Sequence, residues 1–222
     1  MTDPSDRMMD YTIRRSPRAR RVRVSVDGSG EVEVILPRRA PERAAAQAVR
    51  ELEGWIERRR RTLARAAAEV ERPPGTVPYL GRDLRLVSQP GRERVHRRGD
   101  ELLVPTRDAG PALERWYRRR ARAEIAPRLD AAAARAGSTY SGLTIRGQKT
   151  RWASCSSRGH MSFNWRLLLA PEEVLDYVVE HEVCHLELMD HSPRFWALLE
   201  SRVPDWRDHA RWLRRYGATL RL

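Results

Sequence analysis

The sequence predicts an α+β protein: an N-terminal portion, residues 1–106, built from a small β-sheet with long helices, followed by a core over residues 107–222 organised around one helix. Three observations carry this. Short alternating segments punctuated by Gly and Pro dominate much of the first half, and helical spacing recurs over residues 41–71 and 111–136. Near the C-terminus, His181-Glu182-Val183-Cys184-His185 sets two imidazoles four residues apart, on one face of a helix and able to share an ion.

At 222 residues and 25.7 kDa the chain can bury a core without staples. Of its two cysteines, Cys155 and Cys184, the second lies inside the histidine motif, which argues against a disulfide framework and for a reducing compartment. The first ten residues hold three acids and no apolar run, and nowhere do 18 apolar residues follow one another. The expectation is a soluble, cytoplasmic protein without a membrane partner. The formal charge of +13 invites a nucleic-acid partner, since surface cations neutralise phosphates. Yet Lys149 is the sole lysine, and abundant Arg with abundant Ala is what a GC-rich coding bias produces unaided. The charge is about +11 over residues 1–137 and about +2 over 138–222, so nucleic acid stays open as a partner without being required.

Taken in order, residues 21–26 and 31–36 alternate apolar and polar around Asp27-Gly28-Ser29-Gly30, a β-hairpin. The spacing of Ala45, Val49, Leu52, Trp55, Ile56 and Leu63 predicts one long helix, whose arginines 58–61 read as a solvated face. Pro73-Pro74-Gly75 ends it. Four short strands follow, over 77–80, 84–87, 94–95 and 102–104, expected to share a sheet with the first hairpin. A helical stretch over 111–136 contains Pro127, so it is either kinked or two helices, and Gly137 suits its C′ position. Residues 143–146 and 161–169 read as strands, part of a sheet beside the motif helix whose edge can receive an extended peptide. Pro171 sits where a helix should begin, with Glu172 and Glu173 favourable in its first turn.

That helix carries His181, Glu182 and His185. A catalytic metal usually keeps three protein ligands and an open position. On an unbroken helix His191 would be turned about 120° from His185, so the helix must stop between them. Ser192-Pro193 is a cap and first-residue pair for a new helix, and a turn at Met189-Asp190 would let His191 swing back. His191 is the expected third ligand, with Glu200, Asp205 and His209 as competitors. Glu182, beside the two imidazoles, is read as a general base: it would hold a water, take its proton as a carbonyl is attacked, and return it to the leaving amine. Cys184 and Cys155 are read as packing, His160 as structural or exposed, and Asn164 and Tyr177 as weaker candidates for substrate or oxyanion contact. Trp152, Trp165, Phe195 and Trp196 are read as packing around the motif helix.

The stretches T-R-W-A-S-C-S-S-R-G-H-M-S-F-N-W-R-L-L-L-A-P (Thr150 to Pro171), D-Y-V-V-E-H-E-V-C-H-L (Asp176 to Leu186) and H-S-P-R-F-W resemble the YgjP-like metallopeptidase family, of the zincin group near the SprT-like and WLM proteases. Trp55-Ile56 and Tyr79-Leu80-Gly81 are similar to it as well. Departures are Ala153 in place of Gly, Val183 in place of Leu and Asp190 in place of Asn; none is a ligand or the base. The resemblance implies a minimal zincin-like core, a peptide or protein substrate, and one Zn2+ per chain held by His181, His185 and His191 with Glu182 as base. Alternatives are a nucleic-acid-associated SprT-like protease and a non-catalytic nucleic-acid-binding protein with a structural zinc. The second has no use for Glu182, because structural sites close their fourth position with Cys or His. The substrate-binding residues, the substrate itself and the oligomeric state are not legible.

Overall fold

The computed structural model describes residues 9–148 and 151–222, and the chain divides into two units, Met1–Glu71 and Arg72–Leu222. The architecture is α+β, as the sequence predicts. The expected boundary at 106/107 falls inside the second unit.

In the first unit β1 (Tyr11–Ser16), β2 (Arg23–Val26) and β3 (Val32–Pro37) form a sheet of order β1-β3-β2. The β2–β3 hairpin is antiparallel, and β1, which the hairpin reading omits, runs parallel to β3. Strict alternation buries Val32, Val34 and Leu36 of β3. Where one long helix is expected there are two, α1 (Arg43–Glu51) and α2 (Glu53–Glu69). They part at Leu52 (φ −104°, ψ 8°), two residues before the weak helix former Gly54. Ala45, Val49 and Ile56 are buried, whereas Leu52 and Trp55 face outward.

The second unit opens with a four-stranded sheet of its own, order β4-β5-β7-β6, from β4 (Thr76–Tyr79), β5 (Arg82–Gln89), β6 (His96–Arg98) and β7 (Glu101–Pro105). It is not continuous with the first hairpin, because its apolar face, Leu84, Leu102 and Val104, belongs to a different core. Leu80 and Gly81, both at positive φ (49° and 79°), make the two-residue turn between β4 and β5. The Leu80 amide donates to the Leu168 carbonyl at 2.8 Å, which helps hold a leucine in a conformation it rarely adopts.

Helix α3 (Ala109–Arg135) continues through Pro127 as a single element, and the Arg128 guanidinium donates to the Glu124 carbonyl one turn back. It ends in a Schellman motif: Gly137, at φ +61°, donates to Ala134 and Ser138 donates to Ala133. Next comes a sheet of order β8-β10-β9, from β8 (Gly142–Arg146), β9 (Ala153–Cys155) and β10 (His160–Asn164), with β9 antiparallel to β10 and on the edge. The expected strand over 161–169 is too long. It stops at Asn164, whose side-chain oxygen accepts from the Arg166 amide and caps a 3-10 turn, Trp165–Leu169. A continuous apolar run does not by itself distinguish buried strand from buried helix.

Three helices complete the unit: α4 (Glu172–Cys184), α5 (Pro193–Arg202) and α6 (Trp206–Tyr216). As α3 advances from Arg128 to Arg135, its ion-pair partners advance from Glu172 and Asp176 to Glu180, so α3 and α4 lie side by side in the same sense. Among the described residues no helix is long and apolar enough to cross a membrane. Phe163, fully buried on the central strand β10, anchors the sheet beside α4. Phe163→Ala is expected to cost about 3–5 kcal/mol, read as a lower urea midpoint.

Candidate active site

Helix α4 stops at Cys184, and His185, still near helical geometry, is its C-cap. Tight turns take over: Leu186 donates to Val183, and Glu187 and Leu188 to Cys184. The chain reverses and Asp190 forms an Asx turn, its carboxylate accepting from the Ser192 amide at 3.1 Å. Ser192 is extended and Pro193 opens α5, as expected, but the Ser192 hydroxyl makes no cap bond to the helix. The stop comes nearer His185 than the expected turn at Met189-Asp190.

This path brings His181, His185 and His191 together, with one ligand nitrogen of each within 4.8 Å of the others. The Nε2 atoms of His181 and His191 lie 3.2 Å apart. His185 Nδ1 is 3.0 Å from the Leu188 carbonyl; a carbonyl only accepts, so Nδ1 carries the proton and Nε2 keeps its lone pair. Phe195, fully buried on α5, stacks on His185 with centroids 4.6 Å apart and meets His181 and His191 edge-on at 5.0 and 4.8 Å. Trp196 lies against His191 and stacks on Trp206, which extends the aromatic wall to α6.

Burial pushes the His181 pKa down to about 3, with His185 and His191 adding to the effect, and burial lowers His185 as well. Both rings are therefore neutral near pH 7, the protonation state a metal requires. Glu182 is 6% exposed, and burial raises its pKa to about 7, opposed by a hydrogen bond from the backbone of Cys155 and by the charge of Arg151. Its Oε2 and His181 Nδ1 are buried without a partner among the described residues. A buried, unpartnered carboxylate oxygen beside converging imidazoles fits a site that holds an ion and a polar ligand.

The competitors for third ligand stand outside the cluster. Glu200 pairs with Arg207, and Asp205 with His209 at 3.1 Å. Cys184 is fully buried, its thiol pushed up to about 11, and both cysteines are free. His160 bonds Thr144 at 2.8 Å. Tyr177 has its ring 6.0 Å from those of both His181 and His209. The Asn164 amide is spent on backbone, Nδ2 donating to the carbonyls of Gln148 (2.8 Å) and Arg151 (3.4 Å). Trp165 packs against Tyr117 on α3, with ring centroids 5.8 Å apart. Sequence reasoning missed β9 and the carbonyl of Leu188, since backbone groups leave no residue-type signal.

The family described as YgjP-like, metallopeptidase domain, matches residues 20–216. The chain belongs to the YgjP-like metallopeptidase family. Membership implies a metal ion and a protein or peptide substrate, and the His181, His185 and His191 cluster could hold such an ion. No curated protein matches this YgjP-like chain. Among solved structures it is similar to the metallopeptidase zymogen of Pyrococcus abyssi abylysin, with 24% identity over 42% of this chain and 95% of that one, at a TM-score of 0.38.

The depressed histidine gives a pH prediction. With His181 near 3 folded and 6.5 as its ordinary value, the unfolded chain binds more protons between those limits. His181 therefore contributes a loss of stability to the metal-free protein as pH falls from 6.5 toward about 3, opposed between about 7 and 4.5 by Glu182, whose carboxyl is raised by burial. Urea midpoints measured across that range should fall less steeply in His181→Gln than in wild type.

Proposed function

We propose that the protein is a zinc-dependent peptidase in which His181, His185 and His191 hold one Zn2+ and Glu182 is the general base. The observation that carries this reading is the convergence of three imidazoles beside a buried carboxylate. Two nitrogens bound to one tetrahedral zinc at about 2.0–2.1 Å sit roughly 3.3 Å apart, and the Nε2 atoms of His181 and His191 are at 3.2 Å. No cysteine or fourth histidine joins the cluster among the described residues, which favours an open catalytic position over a closed structural one.

When bound, the ion supplies Lewis acidity, polarising a substrate carbonyl and lowering the pKa of water. The chain's own residues do the rest. The Glu182 carboxylate holds the attacking water by a hydrogen bond, accepts its proton, and passes that proton to the departing amine. A pKa raised to about 7 suits both directions of transfer near neutral pH. Leu188, through His185 Nδ1, keeps that imidazole turned toward the ion. Phe195 fills the space behind the three rings and keeps water from it. Edge strand β9, beside α4, offers backbone groups to an extended peptide.

Elemental analysis together with a peptide-hydrolysis assay tests this. Wild type should bind one zinc per chain, His191→Ala should lose it, and Glu182→Gln should retain it while cleaving roughly 10²–10⁴-fold more slowly. Full zinc occupancy in His191→Ala, or undiminished cleavage in Glu182→Gln, would overturn the assignment.

A further inference from the structure

Between Asp130 and Glu172 the sequence has no carboxylate side chain, although Arg135, Arg146, Arg151, Arg158 and Arg166 fall in that interval. The strands β8, β9 and β10 hold one arginine, Arg146, and no carboxylate, Arg151 and Arg158 flank β9, and that edge strand borders the helix of Glu182. Arginines on α3 find acids nonetheless: Arg128 meets Glu124, Glu172 and Asp176, and Arg135, inside that interval, meets Glu180. Arg151, two residues before β9, is exposed, and among the described residues its guanidinium has no hydrogen bond or ion pair.

An unpaired arginine is usually a solvated surface group. Here its base is anchored. Asn164, 3% exposed, donates from Nδ2 to the Arg151 carbonyl at 3.4 Å and from its amide to the Trp152 carbonyl at 2.7 Å. Trp152 lies against Gly217, where an added Cβ would come within 2.7 Å of the indole. The Arg151 carbonyl is thus held near the start of the edge strand, which limits the backbone freedom lost when its side chain binds a partner. Arg151 precedes β9 by two residues, and β9 packs beside α4, the helix of Glu182.

We propose that Arg151 is a specificity-determining residue that recognises the carboxylate of an aspartate or glutamate side chain on a peptide lying along β9. This rests on the peptidase reading of the site. With no carboxylate on the sheet and arginines at both ends of β9, a basic peptide finds no partner there, and Arg151 supplies the local, directional contact.

The test uses zinc-loaded Glu182→Gln protein and capped, dye-labelled alanine-based decapeptides with Glu, Gln or Lys at alternate positions, measured by fluorescence anisotropy. Capping leaves the side chains as the only carboxylates. The Glu peptide should bind at least about fivefold more tightly than the Gln peptide, a modest charge-pair preference. The Lys peptide should bind weakest. Adding Arg151→Ala should bring the Glu/Gln ratio close to unity, Arg151→Glu should invert it, and Arg158→Ala, in the β9–β10 turn, should keep it. Equal binding of Glu and Gln peptides, or the same loss from Arg158→Ala as from Arg151→Ala, would overturn the proposal. Cleavage of the same peptides by wild type separates the two readings: selective binding without cleavage refutes the peptidase alone, and cleavage without selectivity refutes the role of Arg151 alone.

Discussion

Everything in the site depends on α4 ending one turn after His181. Had the helix continued, six residues of rotation would have turned His191 away from His185. Instead the tight turns after Cys184, the Leu188 carbonyl on His185 and the Asx turn at Asp190 reverse the chain within a few residues. Pro193 then starts α5 in a direction that delivers Phe195 against all three imidazoles. The turn needs only a side-chain oxygen at position 190 to accept the Ser192 amide, a role aspartate or asparagine can fill.

A second dependence runs through β9. The motif helix supplies a carboxylate that burial leaves poorly solvated, and the backbone of Cys155 is one of the few groups that meets it. β9 is short, and its register is held by β10 on one side and by Asn164 at the root of the preceding loop. A buried asparagine remote from the histidines thereby links the loop carrying Arg151 to the strand that faces Glu182. Ion pairs from Arg128 and Arg135 tie α4 to α3, although two of those carboxylates, Glu172 and Asp176, are half exposed and each pair is worth little alone.

Much of this was legible in the residues because the site is local. Two histidines at helical spacing, a third ten residues on, and a Ser-Pro pair between helices are pattern statements that need no tertiary information. Helical spacing over 111–136 and its glycine stop were equally plain, but whether Pro127 divided the stretch was not, and the structure keeps one helix, Ala109–Arg135. What escaped was set by partners distant in sequence. β1 is defined by parallel pairing to β3, and the second sheet separates from the first because its apolar residues face another core. The run after Asn164 reads as strand until one sees that its side chain caps a turn. Trp55 and Leu52 fit a helical stripe yet lie outside it, because the helix breaks between Glu51 and Glu53.

The most direct test of a three-histidine, open metal centre is X-ray absorption at the zinc edge of the loaded protein. Three imidazole nitrogens and one further oxygen, all near about 2.0–2.1 Å, are expected. A sulfur scatterer near about 2.3 Å, or a fit with only two imidazoles, would contradict it by bringing a cysteine to the ion or leaving His191 off it.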